Sequence, residues 1–146
     1  MILWNGNVTG QKAIPGNYKA IIKHGQDSST VNFVVKPDPN YSLTQAEYQQ
    51  QFDFLTMVKD KFSETQNSIK EIRNIRSQLT GFTEKSKDLP KEIKDKAADI
   101  HKKITAIEET LYQTKSKSGQ DVLNFPIRLN DKLSGVFDVA NSGYAA

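Results

Sequence analysis

The sequence contains no cysteine and only two histidines, His24 and His101. The first absence excludes disulfides, thiolate metal ligands and thiol catalysis together, and it is compatible with either an oxidising or a reducing compartment. The two histidines have no partner at a spacing that suits a zinc site or an acid–base dyad. One falls in a turn and the other beside a helical seam, and both read as solvated. Arginine is scarce too, supplying three of 20 basic residues. A lysine-rich, arginine-poor surface suits solvation better than bidentate phosphate recognition. The 17 acidic residues are interleaved with the basic ones, so the net charge of +3 is a small surplus without a block of one sign. Neither nucleic acid nor an anionic membrane is expected as the main partner. No apolar run approaches the roughly 20 residues of a membrane span, and Met1 to Gly6 lacks the basic region and apolar core of a signal peptide. For an exported protein, the signal is expected upstream of this chain.

What is present is a polar but foldable composition, 36% hydrophobic and 25% charged. Its dominant stretch runs from Ser42 to Gly81. Ser42-Leu43-Thr44-Gln45 fits a capping box, with Tyr41 as a staple just outside it. Phe52, Leu55, Val58, Phe62, Ile69, Ile72, Ile75 and Leu79 recur at steps of three, four or seven, and Gly81 offers a left-handed cap. This predicts a helix over about 42–80, roughly 55–60 Å long. A helix with one apolar stripe of that length needs a long partner.

A second helix is predicted over about 89–114, capped by Asp88 with Pro90 in its first turn. Ile93, Ala97, Ile100, Ile104, Ile107 and Leu111 form a heptad-type seam that packs a neighbour at a shallow angle. The two helices are expected to form an antiparallel hairpin. A third, shorter helix follows over about 126–140, opening at Pro126 and marked by Ile127, Leu129, Leu133, Val136, Phe137 and Ala140.

Ahead of the helices, residues 1–40 read as β. Gly16 to Lys23 alternates as a half-buried strand, with Tyr18, Ala20 and Ile22 on one face. Ser29 to Lys36 supplies a second strand, and the turn formers His24 to Ser28 make the pair a hairpin. Ile2-Leu3-Trp4 is a short third strand. A sheet this small needs cover for its apolar face, from the helices or from a piece further upstream. Lys36-Pro37-Asp38-Pro39-Asn40 is a short stiff joint between a β unit, 1–40, and a helical bundle, 41–146. The fold class is α+β.

No residue earns a catalytic, cofactor-binding or metal-binding assignment. Asp95 with Asp99, and Glu108 with Glu109, stand among lysines and read as a salt-laced exposed helix face. Trp4, Tyr18, Phe33 and Tyr41 read as the core of the small sheet, with a ligand-stacking surface as the alternative. Asn7-Val8-Thr9 matches the glycosylation acceptor pattern, which is short enough to occur by chance. Gly6, Gly10 and Gly16 are spread through turns and form no phosphate cradle.

Trp4-Asn5-Gly6, Ile14-Pro15-Gly16-Asn17-Tyr18, Val31 to Val35 and Pro37-Asp38-Pro39 together resemble the closing half of the immunoglobulin-like module found in the flagellar hook-capping protein and in many bacterial secreted proteins. The earlier strands of that module are absent. Leu123-Asn124-Phe125-Pro126-Ile127-Arg128-Leu129-Asn130-Asp131-Lys132-Leu133 is similar to the C-terminal region of bacterial glycosyl hydrolases with BNR or sortilin-like β-propeller repeats. The resemblance implies a partial Ig-like sandwich and a non-catalytic C-terminal accessory domain of an exported, extracytoplasmic protein. Any glycosidase activity would then reside in the absent propeller. The implied partners are that upstream propeller and a further downstream helix. Self-association through exposed apolar helix faces is the alternative expectation, followed by carbohydrate binding on the aromatic β face and, last, an independent hydrolase.

Overall fold

The computed structural model describes residues 10–86 and 88–143. In chain order they form β1 (Gly16–His24), β2 (Asp27–Val35), α1 (Gln45–Lys85), α2 (Lys91–Leu111), a 3₁₀ turn (Asp121–Leu123) and α3 (Leu129–Ser142). The architecture is mixed α+β, a two-stranded antiparallel sheet followed by three helices. The expected strand Ile2-Leu3-Trp4 and the Asn7-Val8-Thr9 pattern lie outside the described residues.

The strands pair from Gly16↔Val35 to His24↔Asp27. Only Gly25 and Gln26 connect them, so the turn is tighter than the expected His24–Ser28 and His24 ends a strand instead of sitting in the loop. Gly25 adopts φ 59° while Gln26 does not have a positive φ, the pattern of a primed two-residue hairpin turn with glycine first. Tyr18 stacks on its cross-strand partner Phe33, ring centroids 5.9 Å apart, and its hydroxyl donates to the Ile14 carbonyl at 2.7 Å.

The helices start and stop at slightly different residues from those the sequence suggests. Helix α1 opens with a capping box two residues later, at Thr44 and Glu47. The Thr44 N–H donates to Glu47 Oε2 at 2.7 Å, and the Glu47 N–H donates back to Thr44 Oγ1 at 3.3 Å. A glutamate in the N3 position accepts from the cap residue's amide as a charged group, which the Ser42–Gln45 pair lacks. The same helix runs through Gly81 to Lys85. Its seam continues to Thr83, whose hydroxyl donates to the Leu79 carbonyl at 3.1 Å. Packing beyond the glycine outweighs the roughly 1 kcal/mol that glycine costs inside a helix.

Pro90, not Asp88, stands at the N-cap of α2, and its carbonyl accepts the Ile93 and Lys94 amides at 3.0 and 3.2 Å. Proline disfavours helical backbone at the residue before it, which keeps Asp88 and Leu89 out of the helix. At the far end Tyr112 turns extended, so α2 stops at Leu111 short of 114. Helix α3 starts at Leu129, three residues after Pro126, where the Arg128 carbonyl accepts the Lys132 amide at 3.0 Å.

From Tyr48 to Thr83 the residues at alternating three- and four-residue steps along α1 are all buried or half-buried, a continuous heptad seam. The chain divides into two compact units, Met1–Met57 with Phe137–Ala146, and Val58–Val136, to both of which α1 and α3 contribute. In the first unit Tyr48 and Leu55 are buried. There Gln51 Nε2 donates to the Ala140 and Gly143 carbonyls at 2.8 and 2.9 Å, satisfying acceptors that the end of α3 would otherwise leave open. Asn141 ties the same end to the chain ahead of β1, accepting from the Lys12 amide at 2.9 Å and donating to the Gly10 carbonyl at 3.0 Å. In the second unit α2 packs antiparallel to α1, as expected, and Val58, Ile69, Ile72 and Ala97 are buried.

Candidate interaction surface and its buried ion cluster

The α1–α2 hairpin is pinned by three charged side chains. Glu108 is 3% exposed, and its carboxylate meets Arg73 Nε at 2.8 Å and the Arg76 guanidinium on its other oxygen. Arg76 also donates to Thr105 Oγ1 at 3.3 Å, and the Arg73 guanidinium lies 4.9 Å from the centre of the Tyr112 ring. Burial by itself pushes the Glu108 carboxyl up, but the hydrogen bonds from Arg73 and Arg76 and their positive charge outweigh it, and the net shift is downward. Two of the three arginines in the sequence serve this one carboxylate. Glu108 therefore departs from the expected exposed, salt-laced face, whereas its neighbour Glu109 is exposed as expected.

This cluster sets the rotation of α2. Its apolar positions alone would centre the buried face on Ile93, Ala97, Ile100, Ile104, Ile107 and Leu111. Instead Ala97 and Glu108 are buried, while Ile100 is 43% and Ile107 53% exposed. The buried face is rolled by roughly 40° toward Glu108, Thr105 and Tyr112, on a wheel of 100° per residue. The expected seam is right in its periodicity and off in its centre, because two guanidinium groups on α1 draw the carboxylate inward.

The roll leaves an apolar flank on the opposite side. On α1, Ile75 and Phe82 lie about 180–200° around the helix from Arg73. Arg73 marks the edge of the hairpin where Glu108 and Tyr112 face it. On an antiparallel partner, Ile100 and Ile107 lie on the side away from Tyr112. Hence Ile75, Phe82, Ile100 and Ile107 share one edge of the hairpin, and all four are exposed by two-fifths or more. Periodicity alone puts Ile75 inside the stripe of α1. It sits beside the seam residue Arg76, one position outside the heptad.

The remaining candidates resolve into local roles. His24 and His101 are exposed. Asp99 pairs with Lys103 one turn on at 2.7 Å, and Glu92 with Lys96 at 2.7 Å, ordinary exposed helix pairs. Among the described residues, no group of three or more histidine, cysteine, aspartate or glutamate side chains could hold a metal ion. No helix is long and apolar enough to cross a membrane among those residues.

A recess of about 340 Å³ follows α2, lined by Tyr112, Gln113, Lys117, Phe125 and Asp131 among others. Its polar groups hold the loop itself. Gln113 donates to the Pro126 carbonyl at 2.8 Å and accepts the Lys115 amide at 3.2 Å. Asp121 accepts the Lys117 and Ser118 amides at 2.6 and 3.0 Å, and these bonds hold its carboxyl below the ordinary value.

On the sheet, Phe33 and the flanking Tyr41 are exposed rather than core, as are Ile22 and Val31, so the apolar face of the hairpin is largely uncovered. Trp4, the fourth aromatic of that set, is outside the described residues.

A scan against protein-family models matched none, and neither the curated proteins nor the solved structures gave a match.

Proposed function

We propose that this chain is a non-catalytic structural module that packs against other folded parts of a larger polypeptide. One observation carries the reading: side chains that ordinarily close a core, Ile75, Phe82, Ile100 and Ile107, line one edge of a helical hairpin and stay exposed. Exposed apolar surface arranged on one edge marks an interaction site more often than a solvent face. The specific form of the reading comes from the sequence resemblance. It is a C-terminal accessory domain of an exported β-propeller protein, acting as spacer and packing platform, with β1 and β2 as the closing strands of a partial Ig-like unit. The uncovered face of the β hairpin supports a missing sheet partner, since a two-stranded sheet is marginal alone.

The test is the size and cellular fraction of the native polypeptide, detected in its source organism with an antibody raised against this chain. A band several times larger than 16.4 kDa in an exported fraction supports the accessory domain. A band at 16.4 kDa in the cytoplasm refutes it. The second reading, self-association through the same helical edge, is favoured by that edge being free on a single chain. It predicts a mass that rises with concentration in sedimentation and falls to monomer for Phe82→Ser with Ile107→Ser.

A further inference from the structure

We propose that Arg73, Arg76 and Glu108 form a rotational latch that holds α2 in one of two settings about its own axis. Two faces of α2 compete for α1. One is the apolar seam, with Ile100 and Ile107 at its heptad positions. The other is the face observed, rolled so that Glu108 points inward and those two isoleucines point outward. Both share Ala97, Ile104 and Leu111, so the helix passes from one to the other by rolling, without sliding along α1. The seam of α1 tolerates either, because it offers the same three- and four-residue repeat throughout.

What separates the two settings is the ion cluster. In the observed one the carboxylate bonds Arg73 and Arg76, Thr105 meets Arg76, and Tyr112 lies under Arg73. In the rolled-back setting Glu108 turns to solvent, Tyr112 leaves the guanidinium, and Ile100 and Ile107 enter the interface. Desolvating an ion pair offsets most of its attraction, so such a cluster chooses between arrangements more than it adds stability. The latch therefore decides whether Ile100 and Ile107 are displayed beside Ile75 and Phe82. This rests on the hairpin geometry alone and stands whatever occupies that edge.

The absence of cysteine gives a clean test by thiol labelling of single-cysteine proteins. Ile107→Cys reports the displayed edge, and Thr105→Cys, which gives up the Thr105–Arg76 bond but keeps both arginine pairs to Glu108, reports the latched edge. With the cluster intact, the thiol at 107 reacts fast and the one at 105 slowly. Replacing both arginines, Arg73→Leu with Arg76→Leu, strands the carboxylate among apolar groups. The rates should then change in opposite directions, 107 slower by about tenfold and 105 faster. The swapped pair Arg76→Glu with Glu108→Arg should keep the original order of rates. Rates that rise together in the double-leucine protein would show the hairpin opening as a whole, with no second setting, and would overturn the proposal. Unchanged rates would overturn it as well, as would a swapped pair that loses the original order.

Discussion

Ile104→Asp and Ile107→Asp form a matched experiment on the rotation of α2. Both substitutions exchange the same residues in the interior of one helix, so their cost in helix propensity is nearly the same and cancels in the comparison. At position 104 the side chain is half-buried. Losing it forfeits much of the roughly 1.5–3 kcal/mol of an isoleucine's burial, and desolvating a carboxylate there adds to the loss. The new charge also sits one turn from Glu108, and like charges at that spacing repel. A loss of about 3 kcal/mol or more is expected. Ile107 is 53% exposed. A carboxylate there stays hydrated and stands four residues after Lys103, a favourable spacing, so the loss should be about 1 kcal/mol. Urea unfolding followed by far-ultraviolet circular dichroism reads both, provided the slope with denaturant stays constant. At roughly 2–4 °C per kcal/mol for a chain of this size, thermal midpoints should separate by about 4 °C or more. Equal losses, or a larger loss at 107, would mean that α2 lies on its apolar seam and that the inward Glu108 is misassigned.

Four further outcomes can be checked independently. Glu108→Ala should cost about 1–3 kcal/mol at neutral pH, because it removes the buried partner of two charged hydrogen bonds, while Arg73 and Arg76, which are partly exposed, can regain water. The Glu108 carboxyl titrates below its ordinary value of 4.5, so its contribution is complete above that value and fades as pH falls through the lowered one. The stability gap between the native chain and Glu108→Gln should therefore shrink in strong acid, and a gap independent of pH would refute the cluster as drawn. Leu55, 1% exposed, is the largest fully buried side chain among the described residues, and Leu55→Ala should cost about 3–5 kcal/mol in the same unfolding assay. Gly25→Ala meets no atom within 4 Å but must hold φ at 59°, so about 1–2 kcal/mol of purely backbone strain is expected, visible as faster amide exchange in β1 and β2.

The order of elements was legible because periodicity survives local noise. The two strands, the long helix, the hairpin and the third helix all follow from where apolar residues recur. The ends were less legible, since neighbouring residues compete for the same role. Thr44 with Glu47 outdoes Ser42 with Gln45 through the charge on the glutamate, and Pro90 displaces Asp88 by restricting the residue before it. Gly81 reads as a stop only when the continuing seam at Thr83 is overlooked. Glu108 was hidden for a different reason. A glutamate followed by another and preceded by lysines looks solvated, and nothing within α2 distinguishes it from Glu109. The available signal was on the other helix. Arg73 and Arg76 stand three apart in a chain with only one other arginine, and Arg76 occupies a seam position of α1. A guanidinium at a buried heptad site requires an anion from its neighbour.

The same requirement explains why α2 shows its isoleucines. A hairpin built for stability alone would continue the heptad with apolar residues at 76 and 108, since replacing a buried ion cluster with well-packed apolar groups is commonly neutral or stabilising. Such a hairpin would bury Ile100 and Ile107 and leave Ile75 and Phe82 as isolated surface residues. With the cluster in place, the seam gives up part of its apolar contact and the four side chains gather on one edge. The cluster's position therefore matters more than its energy. It sits between the rungs made by Ile104 and Leu111, where one roll of α2 moves Glu108 and Ile107 in opposite senses. Removing the charges without removing the isoleucines should close the edge, and removing the isoleucines without the charges should leave the roll unchanged.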